Sequence, residues 1–184
     1  ICEGLVGSEM CIRDRSMNNT KTYMSSEDYG KNLTLGYSSL NRNNEREKVN
    51  FFNADGIAAA AGFTSNVEDL AKFARWQIDL VKSLEKKILS PQTLKLMHEI
   101  HWDDELTSVT RGLGFGVYNF NGENWVGHGG SCPGYRSQLY INTNKELAYS
   151  VMINSSGTSP TKYIDGIHEI LSNVTLKKGE EINR

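Results

Sequence analysis

Residues 114–135 read Gly-Phe-Gly-Val-Tyr-Asn-Phe-Asn-Gly-Glu-Asn-Trp-Val-Gly-His-Gly-Gly-Ser-Cys-Pro-Gly-Tyr. From 114 to 120 large apolar residues alternate with small or polar ones, the period of a half-buried strand. Asn121-Gly122 follows, the dipeptide that suits a two-residue hairpin turn, and 124–130 reads as the returning strand. That return carries one imidazole, His128, between Gly127 and the pair Gly129-Gly130. A strand so poor in side chains lets a ligand approach its backbone closely.

The same pattern extends to both sides. Residues 138–141 and Leu147–Ile153 flank the polar turn Asn142-Thr143-Asn144-Lys145 and predict a second hairpin. Ser159-Pro160 predicts the start of a C-terminal helix whose Ile164, Ile167, Ile170 and Leu171 would cover one face of the sheet. Upstream, Ser65 with Glu68 three positions on is a capping-box pattern. Val67, Leu70, Ala71, Ala74, Ile78 and Val81 then follow at helical spacing to about Lys82. Ser90-Pro91 predicts a further helix with Leu94, Met97 and either His98 or His101 on one face. Residues 17–55, rich in Asn, Ser, Lys and Glu, read as loop with short extended pieces. The expected fold is α+β, an antiparallel sheet with helices packed on it.

Several of these segments resemble landmarks of the serine beta-lactamase-like family, which includes class C beta-lactamases and penicillin-binding-protein-related peptidases and esterases. His128-Gly129-Gly130 is similar to its Lys-Thr-Gly or His-x-Gly triplet. Met17-Asn18-Asn19-Thr20 resembles its GM-x-x-T segment, and Gly36-Tyr37-Ser38 its short GY strand. Ala60-Ala61-Gly62-Phe63-Thr64-Ser65 with Asp69-Leu70-Ala71-Lys72-Phe73 resembles its AAGG-x-x-S-x-x-x-D-L-A-x-F stretch, and Gly112-Leu113-Gly114-Phe115 its GLGF strand. These occur in the family's order between about residues 17 and 157. The resemblance implies acyl transfer by a serine nucleophile in Ser-x-x-Lys, assisted by a Tyr-x-Asn or Ser-x-Asn motif. Both precede the GM-x-x-T segment in the family, and neither Ser-x-x-Lys nor Tyr-x-Asn lies ahead of Met17. Residues 16–184 are therefore expected to be the C-terminal part of a beta-lactamase-related hydrolase, inactive without the part that carries the nucleophile. The rival reading is a non-catalytic scaffold or binding protein that keeps the fold.

Residues 1–15 form a segment of another kind. The codons for 5–15 back-translate to a sequence resembling the transposase-end adapter of sequencing libraries, and no apolar run of leader length is present, so these residues are expected to be foreign to the fold. Removing them changes the formal net charge from −2 to −1 and leaves Cys132 as the one cysteine. So neutral a chain has no electrostatic footprint for nucleic acid or an anionic membrane. A mean hydropathy of −0.48 goes with the lack of any apolar run long enough to span a bilayer. The expected partner is a small molecule or peptide with a scissile amide or ester, and no cofactor is implied.

Within the resemblance, His128 takes the place of the cleft lysine, where it supplies a hydrogen bond or positive charge to the proton shuttle. Gly129 and Gly130 become the strand edge along which substrate lies, and the Ser131 backbone N–H becomes an oxyanion-hole donor. Without the resemblance His128 reads as an ordinary strand histidine and the glycines as turn residues. Cys132 reads as a small packed thiol, with a Cys-His hydrolase pair as the weaker alternative. His98 and His101, spaced i, i+3 with Asp103-Asp104 beyond, could serve as metal ligands, but the HExxH pattern is absent and a solvated helix face accounts for them; no metal is expected.

Overall fold

The computed structural model describes residues 12–83, 89–104, 109–120 and 122–182, without the side chains of 104, 109 and 173–182. Six strands run antiparallel in sequence order: β1 (Trp102–Asp104), β2 (Val109–Arg111), β3 (Gly116–Phe120), β4 (Glu123–Cys132), β5 (Tyr135–Asn142) and β6 (Leu147–Ile153). α-Helices accompany them, among them the single turn α1 (Ala58–Ala61), α2 (Val67–Lys82), α3 (Pro91–His98) and α4 (Pro160–Ile182). Both expected hairpins form. Phe120 pairs with Glu123 around a two-residue loop in which Gly122 has φ +81°, and Asn142 pairs with Leu147. Asn121 itself lies outside the described residues. β1 and β2 were not foreseen, because three-residue strands are too short to show a period.

The sheet buries both faces, and the alternation along β4 and β5 divides the core. On one face Val126, Leu139 and Ile141 join Val117, and α2 covers them with Ala74 and Ile78. On the other, Trp125 stacks on Tyr149 with ring centroids 5.1 Å apart, and Tyr140 and Ile164 complete the cluster under α4. Trp125, Ile141 and Ile164 are each no more than 1% exposed.

Three helix expectations need correction. Asn66 caps α2, its side-chain oxygen accepting the Asp69 N–H at 2.9 Å, while the Ser65 hydroxyl pairs with Thr20 instead. The buried residues of α2 are Asp69, Ala74, Gln77, Ile78 and Leu80, and Val67 and Ala71 stay exposed. Of the four residues expected to seat α4, only Ile164 is buried; Ile167, Ile170 and Leu171 are 41%, 64% and 43% exposed. The line facing the sheet is Ile164 and His168, one turn apart, with the His168 ring edge-on to Phe120 and Trp125. That line leaves the isoleucines on the flank. Third, the helix expected to carry both His98 and His101 ends at His98.

Asp69 links the loop region to the helices. Its carboxylate is fully buried and accepts the Asn19 N–H at 2.8 Å, the Thr20 hydroxyl at 3.0 Å and the Lys72 ammonium at 2.9 Å. Burial alone would raise its pKa, but the bonds from Lys72, Thr20 and Asn19 outweigh that and hold it below the ordinary carboxylate value. The Met17–Thr20 turn is thereby fixed to the start of α2. Residues 1–11 of the leader lie outside the described residues; Ile12 is half-buried and the Arg15 guanidinium lies 3.7 Å from the centre of the Trp76 ring.

Gly127 is the tightest point of the sheet. A Cβ there would fall within bonding range of the Leu139 carbonyl oxygen on β5, a backbone atom that cannot swing aside. Gly127→Ala should therefore cost on the order of 3 kcal/mol of stability, through overpacking and a forced shift of β4 against β5. Chemical denaturation measures this, and a midpoint equal to the parent's would show that the two strands can part at little cost.

Candidate active site

β4 is longer than its neighbour β3. Pairing with β3 stops at Gly116 opposite Gly127, whereas pairing with β5 continues through His128–Leu139, Gly129–Gln138, Gly130–Ser137, Ser131–Arg136 and Cys132–Tyr135. From His128 onward β4 is thus an open edge, with alternate backbone N–H and C=O groups directed away from β5. His128, Gly129, Gly130 and Ser131 are all exposed along it.

Strand alternation places the His128 side chain on the face shared with Val126 and α2, opposite the face that α4 covers. Its Nδ1 lies 2.6 Å from the Gly129 carbonyl oxygen. A carbonyl can only accept, so Nδ1 carries the proton; in the neutral ring Nε2 is then an unprotonated acceptor. The residue that could act on a proton therefore presents its basic nitrogen, held in one tautomer by its own strand. Gly129 and Gly130 meet β5 closely, since a Cβ at either would run into the side-chain oxygen of Gln138 or Ser137.

The far end of this edge is braced by the loop region. Gly134 turns β4 into β5 with φ +82°, and a Cβ there would lie 2.8 Å from the Gly36 Cα. Gly36-Tyr37 in turn docks on the segment after β6, with Tyr37 N–H donating to the Asn154 carbonyl at 3.0 Å and Ser156 N–H to the Tyr37 carbonyl at 2.9 Å. The Gly-Tyr landmark thus docks against the turn that ends the histidine-bearing strand.

The alternative chemistries do not assemble. Cys132 lies four residues from His128 on the same strand, about 13 Å away at a rise of about 3.3 Å per residue. Its thiol approaches the Ala61 carbonyl at 3.9 Å, and burial raises its pKa, so it is held as a thiol and not as a thiolate nucleophile. His101 Nε2 lies 2.8 Å from the Leu96 carbonyl, whereas His98 turns inward, with Nε2 2.9 Å from Gln77 Oε1 and its ring edge-on to Phe115. Among the described residues no three His, Cys, Asp or Glu side chains form a metal-ligand group.

The strings Ser-x-x-Lys and Tyr-x-Asn, absent ahead of Met17, do occur further along as Ser83-Leu84-Glu85-Lys86, Ser159-Pro160-Thr161-Lys162 and Tyr140-Ile141-Asn142. None is in the family's order. Ser83 caps the C-terminus of α2 and residues 84–86 lie outside the described residues. Tyr140 is buried on the α4 face, away from His128, and Asn142 Oδ1 accepts the N–H groups of Asn144 and Lys145 in the β5–β6 turn.

Burial lowers the His98 pKa from 6.5 to about 4, so the folded chain holds this ring neutral. The unfolded chain takes up the proton first. Stability present above pH 6.5 should therefore fall as the pH drops toward about 4, and His98→Gln should remove that part of the fall. Thermal midpoints measured between pH 7 and 4 check this; parallel curves for the two proteins would be the contrary result.

The sheet, its two helix-covered faces and the histidine-bearing edge make an α+β lobe. The family model described as Beta-lactamase matches residues 14–171. The chain belongs to the beta-lactamase family of serine hydrolases. Among solved structures it is similar to the octameric penicillin-binding protein homologue from Pyrococcus abyssi, with 26% identity and a TM-score of 0.66 over 82% of this chain and 33% of that one. It is also similar in fold to the D-amino acid amidase from Ochrobactrum anthropi SV3 (17% identity, TM-score 0.71, 89% of this chain and 49% of that one). A third is the D-stereospecific amidohydrolase from Streptomyces sp. (21% identity, TM-score 0.61, 78% and 41%). The chain thus spans between a third and a half of the length of these structures. No curated protein sequence matches it.

Proposed function

We propose that residues 16–184 are the C-terminal, sheet-bearing part of a serine hydrolase that transfers an acyl group from an amide or ester to water, with the native reading frame starting near Ser16. The observation that carries this reading is the open edge of β4, with His128 exposed on the face opposite α4. An extended substrate adds to such an edge as a further strand. Gly129 and Gly130 let it lie close, and the Ser131 N–H donates to the oxyanion that forms when the nucleophile attacks the carbonyl. His128 Nε2 accepts a hydrogen bond from the group that shuttles the nucleophile's proton, and Nδ1 bonded to the Gly129 carbonyl keeps it in that role.

A beta-lactam, a D-amino-acid peptide and a carboxylic ester all present the required carbonyl, and histidine in place of the family's lysine favours an esterase or peptidase over a true beta-lactamase. The test is to read the parent gene upstream of Ser16. It should encode Ser-x-x-Lys followed by Tyr-x-Asn or Ser-x-Asn. Other residues at those positions would replace the hydrolase with a scaffold that keeps the fold.

A further inference from the structure

The two outer strands of the sheet, β1 and β6, differ in how they meet solvent. β1 is three residues long and carries the exposed Asp103, a charge that discourages pairing with another strand. β6 runs for seven residues as Leu-Ala-Tyr-Ser-Val-Met-Ile, with no charge, proline or glycine. Among the described residues β5 is the strand it pairs with, in unbroken register, and its free run ends where Asn154 and Ser156 bond to Tyr37. A long uncharged edge of this kind is a template for a further strand.

The helix above this edge matches it. α4 lies over β5 and β6. It is turned so that Thr161 and Asp165 stand beside the Tyr140 phenol, and His168 beside Phe120 and Trp125, on the side toward the middle of the sheet. At about 100° per residue, Tyr163, Ile167, Ile170 and Leu171 then fall on the opposite flank, which overhangs the β6 edge. All four are exposed, and Lys162, Asp165 and Glu169 lie off this flank. Met152, near the end of β6, is exposed as well. Edge and flank together make one uncharged ledge.

We propose that this ledge is the contact between two copies of this chain, a two-fold pair in which β6 meets β6 antiparallel and one sheet runs through both copies. The free run pairs with itself about Ser150, so Leu147 stands opposite Ile153, Ala148 opposite Met152 and Tyr149 opposite Val151, and no like charges are opposed. Such an axis runs perpendicular to the sheet and keeps both α4 helices on one face. With strands about 4.8 Å apart and α4 over the β5–β6 pair, the two helix axes come about 10 Å apart, the spacing of packed helices. The flanks bearing Tyr163, Ile167, Ile170 and Leu171 then close on each other and leave water. The pairing rests on the fold alone and is independent of the acyl-transfer reading.

Sedimentation equilibrium and hydrogen exchange of this chain across a dilution series test the assignment. The mass should rise with concentration from 20.6 kDa to twice that value and stop there, because a two-fold contact closes. The amides of Leu147–Ile153 that point away from β5 should exchange more slowly as the mass rises, while those of β1 should not change. Met152→Lys on the edge and Ile167→Glu on the flank, both at exposed positions, should each weaken the pairing at least tenfold, since each sets a charge where the second copy would bury it. Trp102→Lys, equally exposed but on β1, should leave the pairing unchanged, with circular dichroism as the control for folding of all three. The proposal is overturned if the chain stays monomeric up to its solubility limit, if it grows beyond a dimer, if the pairing survives both Met152→Lys and Ile167→Glu, or if Trp102→Lys weakens it as much. Protection of the outward β6 amides in the monomer at the lowest concentration would also overturn it, since a segment of the same molecule would then cover the ledge.

Discussion

The chain as it stands should hydrolyse chromogenic esters and beta-lactams no faster than buffer, about a millionfold below a complete hydrolase of this type. Loss of a nucleophile and its base typically removes turnover by about that factor, leaving only binding and oxyanion effects. The open edge presents a backbone N–H at Ser131, proposed above as an oxyanion donor, and one imidazole, but nothing among the described residues faces His128 with an activated hydroxyl. Ser131 is proposed to act through its N–H alone, Ser83 caps a helix on another element, and Cys132 is a half-buried thiol. Initial rates over a hundredfold range of enzyme concentration measure this. Turnover that scales with enzyme would refute the expectation, and its disappearance in Cys132→Ala or Ser83→Ala would identify the nucleophile.

Elements with long periods were legible in the sequence, and elements fixed by contact were not. β3 through β6 showed themselves through alternation and turn dipeptides, and Ser90-Pro91 through cap chemistry, since the Ser90 hydroxyl does accept the Thr93 N–H at 3.0 Å. The cap of α2 was misplaced by one residue because Ser65 and Asn66 both suit the role. Tertiary structure decided between them by drawing the Ser65 hydroxyl to Thr20. The face of α4 was misread because composition cannot reveal that aromatic rings on β3, β4 and β6 would select His168 over the neighbouring isoleucines. At the edge, sequence gave the residues of the triplet, but the proton position on His128 follows only from the Gly129 carbonyl beside it.

In the complete hydrolase, His128→Ala should lower kcat by about a hundredfold to ten-thousandfold, the range that a positioned acid–base group contributes, with the melting temperature within a degree or two of the parent. The reason for the split is geometric. His128 is exposed and its ring bonds the adjacent Gly129 carbonyl, so its removal opens no cavity and orphans no buried group. In the proposed role its Nε2 acts on a proton in flight, an interaction made in the transition state and not in the ground state, so the loss should fall on kcat and leave KM nearly unchanged. Neither His128→Lys nor His128→Gln should recover the rate, since an ammonium has no lone pair to accept the shuttle's hydrogen bond and an amide neither holds nor releases a proton near neutral pH. Kinetics of the three variants, with melting curves as the control for folding, decide the matter. A His128→Ala enzyme with parental kcat, or a loss confined to KM, would reduce His128 to a substrate contact and leave the Ser131 N–H as this lobe's one contribution to the transition state.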